Sequence, residues 1–230
     1  MPTHPAKFSD EVLDAALAFL WSNAWTLPDD CLMLDPFAGT GKGSVVADKL
    51  GMGWLGVEIE PEWAEMEPRT LVGDSRNLVK LLERKHMLGL IGAVFTSPVY
   101  GNRMSDHHDA KDTSRRITYR HSLGRALNHH NAGRLHFKKR AREYEKLHFR
   151  VWKQCYEALN PGGLMMVNVK NFIRGGDEMD VVGFHEWAMR QADFTMFDKI
   201  KVDTPGMRFG ENNELRVDGE VILVGVKPRG

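Results

Sequence analysis

Apolar residues recur along this chain in two alternating periods, and the alternation predicts strands separated by helices. From Asp10 to Ala24, the positions Val12, Leu13, Ala16, Leu17 and Leu20 keep helical spacing. Cys31–Leu34 is a continuous apolar run that predicts a buried strand, and Ser44–Leu50 returns to the helical period. Trp54–Ile59 reads as a second strand, and Pro61 opens a helix, because proline fits a first turn. Ser75–Lys85 predicts a helix and Ile91–Thr96 a strand. Glu143–Leu159 predicts a long helix stopped by Asn160-Pro161-Gly162-Gly163. Leu164–Val169 and Val181–Gln191 continue as strand and helix, and Phe194–Val202 with Glu220–Val226 predicts a closing strand pair. Strands spaced by helices imply right-handed crossovers and a mostly parallel sheet covered on both faces. For 230 residues the simplest organisation is a single domain over 1–230.

Two stretches break the pattern. Residues 101–142 keep no sustained period, yet they are too long for an ordinary connection. Thr204–Asn213, rich in Gly and Asn, separates the last two strands and carries Met207, Arg208 and Phe209. Both are placed to border one cleft. The net charge of zero hides the character of the first: Gly101–Arg150 has 13 Lys or Arg against 5 Asp or Glu, and seven of the ten histidines. That concentration points to an anionic partner touching one place, with a solvated surface insertion as the plain alternative. Asp106-His107-His108-Asp109 is not read as a metal site. Adjacent histidines diverge by about 100° in a helix and oppose each other in a strand. Two cysteines, Cys31 and Cys155, exclude a disulfide scaffold and a four-cysteine zinc site. Met1-Pro2-Thr3-His4-Pro5 lacks a basic-then-apolar leader, and no run approaches the ~20 apolar residues of a membrane span. The expectation is a soluble, cytoplasmic chain without a membrane partner.

Asp35-Pro36-Phe37-Ala38-Gly39-Thr40-Gly41 closes the first strand run and opens onto a helical pattern. Gly39 and Gly41 let the backbone turn sharply and approach a ligand. Three acids surround that turn. Asp35 at the strand end can meet an ammonium group, and Glu58 at the next strand end can accept two ribose hydroxyls. Asp74, after Val72-Gly73, can take the amino group of adenine. Gly41-Lys42-Gly43-Ser44 is not a phosphate-binding P-loop, because Pro36 and Gly43 stand where that motif needs glycine and Ser or Thr. A dinucleotide turn fails as well, with Ser44 in place of the third glycine. Three acids would also repel phosphate. They suit a ligand with ribose, adenine and a cationic end, a description that S-adenosylmethionine meets.

Here the chain resembles the amino-directed DNA methyltransferases. Asp35-Pro36-Phe37-Ala38-Gly39-Thr40-Gly41 is similar to their donor motif, and Thr96-Ser97-Pro98-Val99-Tyr100 to their catalytic Ser/Asn/Asp-Pro-Pro-Tyr turn. His4-Pro5-Ala6-Lys7-Phe8 resembles the segment which that family places against the methionine end of the donor. Thr96–His108, Tyr119–Gly124 and Asn168–Gly176 resemble small methylases of phage and actinobacterial type. The resemblance covers most of the chain. It implies a Rossmann-like class I α/β fold, a mostly parallel seven-stranded sheet with helices on both faces, and a basic insertion at about 101–142 after the fourth strand. It implies S-adenosylmethionine as cofactor, contacted by Lys7, Phe8, Asp35, Phe37, Gly39, Gly41, Glu58, Asp74 and Thr96.

The same resemblance makes Ser97, Pro98 and Tyr100 the catalytic group. An exocyclic amine is a poor nucleophile, because its lone pair is delocalised into the ring. The Ser97 side chain and the Pro98 carbonyl would accept its hydrogens, and Tyr100 would stack on a base flipped out of duplex DNA. Val99 departs from the family pattern by replacing the second proline. Serine in the first position slightly favours cytosine N4 over adenine N6. Cytosine C5 chemistry is unlike this turn, which has no cysteine nucleophile. Asn102, Arg103, Arg115, Arg116, Tyr119 and Arg120 are the candidate substrate contacts, with Arg125 and His121 interleaved. The insertion is short for a recognition domain, which argues for a short recognition site or a homodimer. Asn168-Val169-Lys170-Asn171 is placed near the same cleft, or is an ordinary turn. Two other functions stay open: a methyltransferase for RNA, protein or a small molecule, and a nucleic-acid-binding protein with an inactive methylase core.

Overall fold

Strands β1 (Leu32–Asp35) and β4 (Ile91–Thr96) pair in parallel at the middle of a seven-stranded sheet. The computed structural model describes residues 8–23, 27–101, 119–137, 142–204, 217 and 219–229. On the N-terminal side, α1 (Asp10–Asn23) precedes β1, followed by α2 (Ser44–Leu50), β2 (Gly53–Glu58), α3 (Pro61–Ala64), β3 (Thr70–Val72) and α4 (Leu78–Arg84). Beyond β4 come α5 (Tyr119–Leu123), α6 (Glu143–Ala158), β5 (Leu159–Val169), and a hairpin of β6 (Phe172–Arg174) and β7 (Asp177–Met179). The chain closes through α7 (Val181–Gln191), β8 (Thr195–Val202) and β9 (Glu220–Val226).

The sheet order is β3-β2-β1-β4-β5-β9-β8, parallel except that β9 runs antiparallel to both β5 and β8. This is the doubly wound α/β architecture that the alternating pattern implied. Its central strands read as unbroken apolar runs because both faces are covered. Along β5, Leu164 and Met166 enter one core with Val12, Ala16 and Leu20 of α1 and Val46 of α2. The alternate Met165 and Val167 enter the other, with Leu78 and Leu82 of α4, Val151 and Trp152 of α6, and Met189 of α7. Chain order reverses between β1 and β4. In such sheets a crevice opens at that point, beyond the C-terminal strand ends.

Several boundaries differ from expectation for local reasons. The Asn160-Pro161-Gly162-Gly163 stretch does stop α6, but β5 begins at once at Leu159 and carries the four residues as an irregularity. Gly162 sits at φ 81°, its N–H donates to the Lys227 carbonyl, and the Lys227 N–H donates to Gly163. The expected helix over Ser75–Lys85 divides into a 3₁₀ turn at Ser75–Asn77 and α4, because the Asp74 side chain caps the turn at the Arg76 N–H. Within the basic insertion, α5 and a second 3₁₀ turn at Ala132–Arg134 form where no period was visible. Among the described residues no helix is long and apolar enough to cross a membrane.

Candidate active site

The ends of β1, β2 and β4 open into a cleft of about 450 Å³, within the range of small-molecule sites. One wall is the turn after β1. There the chain bends through two left-handed residues, Gly39 at φ 53° and Gly41 at φ 77°. A Cβ on Gly41 would stand 2.5 Å from Glu67 Cβ, so glycine is obligatory in this packing. Phe37, Ala38, Gly39, Thr40 and Lys42 line the cleft, and Lys42 Nζ donates to the Phe8 carbonyl at 2.6 Å. That bond fastens the N-terminal segment to the turn. Phe8 also lines the cleft, with its ring stacked on Phe95 at 4.7 Å.

Asp35 is fully buried beneath this turn. Its Oδ1 accepts the Phe37 N–H at 3.0 Å and the Thr96 hydroxyl at 2.6 Å. Its Oδ2 is buried without a hydrogen-bond partner among the described residues. A Cβ placed on Gly43 would lie 3.3 Å from that oxygen and 3.4 Å from the Phe8 ring, so Gly43 leaves space open next to both. Burial raises the Asp35 carboxyl to about 7, against the lowering effect of Thr96 and Phe37. A buried acid in this state gains most from a cation as partner.

Glu58 ends β2 and lines the cleft. Its Oε2 accepts the Gly39 N–H at 2.9 Å, and its Oε1 accepts the N–H groups of Ile59 at 2.8 Å and Glu60 at 2.9 Å. Burial raises it too to about 7 in spite of those three bonds. A carboxylate has about four acceptor positions, so one remains for a ligand hydroxyl. Asp74 lines the cleft as the cap of its 3₁₀ turn and pairs with Arg76. Burial pushes its carboxyl up, but the Arg76 bonds outweigh this and hold it below the ordinary range.

The opposite wall is the turn after β4, where Ser97, Pro98, Val99 and Tyr100 all line the cleft. Ser97 Oγ lies 3.1 Å from Tyr100 Oη, which donates to Glu220 Oε2 at 3.0 Å. Asn168 Nδ2 reaches Ser97 Oγ at 3.3 Å, Tyr100 Oη at 3.1 Å and Glu220 Oε2 at 2.5 Å. Burial first, and then the Glu220 charge, raises the Tyr100 hydroxyl well above the usual phenol range. It stays protonated. Behind the turn, Tyr144 Oη donates to the Val99 carbonyl at 2.8 Å and lies 2.9 Å from His185 Nε2. Trp152 Nε1 donates to His185 Nδ1 at 3.2 Å, so His185 carries its proton on Nε2.

The structure thus places Phe8, Phe37, Gly39, Glu58 and Asp74 on the wall formed after β1 and β2, and Ser97, Pro98 and Tyr100 on the other. Asp35, Gly41 and Thr96 stand behind the first wall, where they shape it. The Thr96 hydroxyl is committed to Asp35. Tyr119, expected as a substrate contact, is buried, meets Trp63 edge-on at 5.4 Å and lines the cleft. Arg125, read with the basic residues suited to phosphates, pairs with Glu60 and Glu62. His130 and Asn131 line the cleft from the insertion. Lys7, Asn102, Arg103, Arg115 and Arg116 lie outside the described residues, as do Asp106-His107-His108-Asp109, most of Thr204–Asn213 and the Arg120 side chain. Among the described residues no cluster of three His, Cys, Asp or Glu could hold a metal.

Glu220 is the site residue that sequence reasoning missed. The rule that acids at strand ends line a crevice applies to parallel strands. Since β9 is antiparallel, its first residue arrives at the same edge: Val221 pairs with Val169, the last residue of β5. An acid at the start of a final antiparallel strand was the available signal.

Solved structures share this fold over nearly the whole chain. TrmN from Thermus thermophilus is 14% identical with a TM-score of 0.53, covering 94% of this chain and 48% of that one. A Burkholderia thailandensis 1,6-didemethyltoxoflavin-N1-methyltransferase with bound S-adenosylhomocysteine is 15% identical, TM-score 0.52, over 95% and 80%. A SAM-dependent methyltransferase from Methanosarcina mazei is 9% identical, TM-score 0.54, over 91% and 98%. The chain spans about half the length of TrmN. No family model and no curated protein sequence matches it. At these identities the likeness is one of fold, the Rossmann-like class I methyltransferase architecture.

Proposed function

We propose that this chain binds S-adenosylmethionine and transfers its methyl group to the exocyclic amine of a DNA base, with cytosine N4 slightly favoured over adenine N6. The observation that carries the reading is the Thr96–Asp35 hydrogen bond of 2.6 Å, which ties the ends of β1 and β4, and with them the two turns, together beneath the cleft. Asp35 Oδ2, buried behind the wall without a partner among the described residues, supplies negative charge toward the donor ammonium; Glu58 fits its ribose, and Asp74 with His130 borders the adenine end. When bound, the donor supplies a methyl group made electrophilic by its sulfonium. The protein holds the nucleophile in line with that carbon and removes its proton. Ser97 Oγ can give its hydrogen to Tyr100 and keep lone pairs for an incoming amine, and the Pro98 carbonyl is a second acceptor. The basic insertion with the first half of α6, Gly101–Arg150 with 13 Lys or Arg, supports a nucleic-acid substrate. Val99, which restores a backbone N–H lacking in the family turn, favours the second reading of an RNA or small-molecule acceptor.

Tritium transfer from labelled donor to unmethylated duplex DNA, with RNA and free nucleosides alongside, tests the reading. Label in duplex DNA supports it; label only in RNA or nucleosides transfers the assignment to that acceptor. Mass spectrometry of the product base then separates N4-methylcytosine from N6-methyladenine. Ser97→Ala is expected to bind donor normally and lose most turnover.

A further inference from the structure

We infer that Glu220 is the terminal proton acceptor of the transfer, reached from the acceptor amine through Ser97 and Tyr100. The inference rests on the proposed amine methylation and adds a residue that the motifs do not contain. Three observations carry it. Ser97 Oγ, Tyr100 Oη and Glu220 Oε2 form a continuous chain with steps of 3.1 and 3.0 Å. The chain has one polarity: Glu220 can only accept when ionised, so Tyr100 donates to it, and Ser97 donates to Tyr100. All bonds that Glu220 makes use Oε2, while Oε1 takes none among the described residues and the residue borders the cleft.

Proton balance gives the chain its use. As the amine nitrogen bonds to the methyl carbon, the carbon–sulfur electron pair stays on sulfur and the nitrogen is left with one proton too many. That proton passes to Ser97 Oγ, the Ser97 proton to Tyr100 Oη, and the Tyr100 proton to the Glu220 carboxylate. Serine and tyrosine end as neutral as they began. Glu220 ends neutral and returns the proton to solvent after product leaves. Asn168 Nδ2 holds all three oxygens within 3.3 Å, which keeps the steps short. The titratable group facing Glu220 is Tyr100, with Tyr144 behind it.

The test compares wild type, Glu220→Gln, Tyr100→Phe and the double variant in single-turnover methyl transfer to duplex DNA from pH 5 to 9. Donor affinity is followed by calorimetry. Gln keeps the hydrogen bonds and cannot take the proton. The expected result is a fall of about 100-fold in both single variants, no further fall in the double variant, and donor affinity within twofold of wild type. Asp35 and Glu58 titrate in both proteins, so the readout is the difference between their pH–rate profiles: that of wild type is the steeper on the acid side. Glu220→Asp restores part of the rate. Independently of turnover, infrared difference spectra of wild type against Glu220→Gln show an ionised carboxylate; a protonated carboxyl in the free protein overturns the inference. So does a Glu220→Gln rate near wild type, or an equal loss with a pH–rate profile of unchanged shape. A wild type that binds donor yet methylates no duplex refutes the proposed function itself, and is recognised because the unsubstituted chain is silent.

Discussion

Arg125 Nη2, from the basic insertion, lies 2.8 Å from Oε2 of Glu60, a carboxylate buried just after β2. The same guanidinium donates to Glu62 through Nε at 2.7 Å and through Nη2. Glu60 Oε1 meanwhile accepts the Asn128 N–H at 2.7 Å and the Asn131 side chain at 2.8 Å. The insertion is therefore clamped to the donor side of the cleft, and His130 and Asn131 form part of that wall.

Arg125→Ala is expected to lower stability by about 2 kcal/mol, because it strips a buried carboxylate of its counter-charge while two neutral donors remain. The partial exposure of Arg125 keeps the loss below that of a fully buried pair. Donor affinity should fall with it. Arg125→Lys should recover less than half, since one ammonium cannot span both carboxylates. Urea unfolding with calorimetric titration checks both; unchanged stability would show the clamp to be idle.

The acids under the donor turn set an unusual pH dependence. Asp35 and Glu58 hold their protons up to about 7 in the folded chain, whereas the unfolded chain releases them near 4. Between those values the folded state binds more protons, so stability falls as pH rises through the window, by up to about 3–4 kcal/mol for each group. The paired carboxylates of Asp48, Glu62, Glu67 and Glu186 are held low and act in the opposite sense, but only as pH drops below about 4.5. The buried imidazoles of His148 and His185, both held below the ordinary range, oppose this trend up to about pH 6.5, so the free protein should melt highest near pH 6, and Asp35→Asn should raise its melting temperature at pH 8. A cation beside Asp35 favours the carboxylate, so donor binding near pH 7 should release a proton. Calorimetry in buffers of different ionisation enthalpy measures that release; its absence would count against Asp35 as the ammonium partner.

The sheet and donor wall were legible because their signals are local. A buried strand, a glycine turn and an acid at a strand end occupy adjacent positions, as in Leu34, Asp35 and Gly39. The acceptor turn was legible as a motif, but its partners were not. Tyr100 meets Glu220 across 120 residues and Tyr144 reaches His185 across 41, and no periodicity links such pairs. Arg125 shows a partner that the local sequence did not reveal. A charge run suggested phosphate, while two glutamates outside that run, Glu60 and Glu62, claimed its guanidinium.

Gly41→Ala tests the donor turn directly. The left-handed φ of 77° and the 2.5 Å approach to Glu67 Cβ leave no room for a methyl group. Alanine should cost about 1–3 kcal/mol and displace the turn that holds Gly39 against Glu58. Donor affinity should fall at least tenfold, while acceptor binding measured by fluorescence anisotropy stays close to wild type. Equal affinity for donor would mean that the turn does not cradle it.

Tyr144→Phe probes how the acceptor turn is held. The hydroxyl links the Val99 carbonyl to His185, whose imidazole is kept neutral by burial. Its removal leaves a buried carbonyl and a buried ring N–H without their partner, at a cost of about 1–3 kcal/mol. The ring itself stays packed against Phe137, His148 and Phe184, so the core keeps its shape. Loosening falls on the segment that carries Ser97 and Pro98, which in the proposed reaction act only once an acceptor is bound. The rate of transfer should therefore drop about tenfold with donor affinity unchanged. Stopped-flow transfer beside donor calorimetry separates the two, and a variant weakened only in donor binding would place Tyr144 on the wrong wall of the cleft.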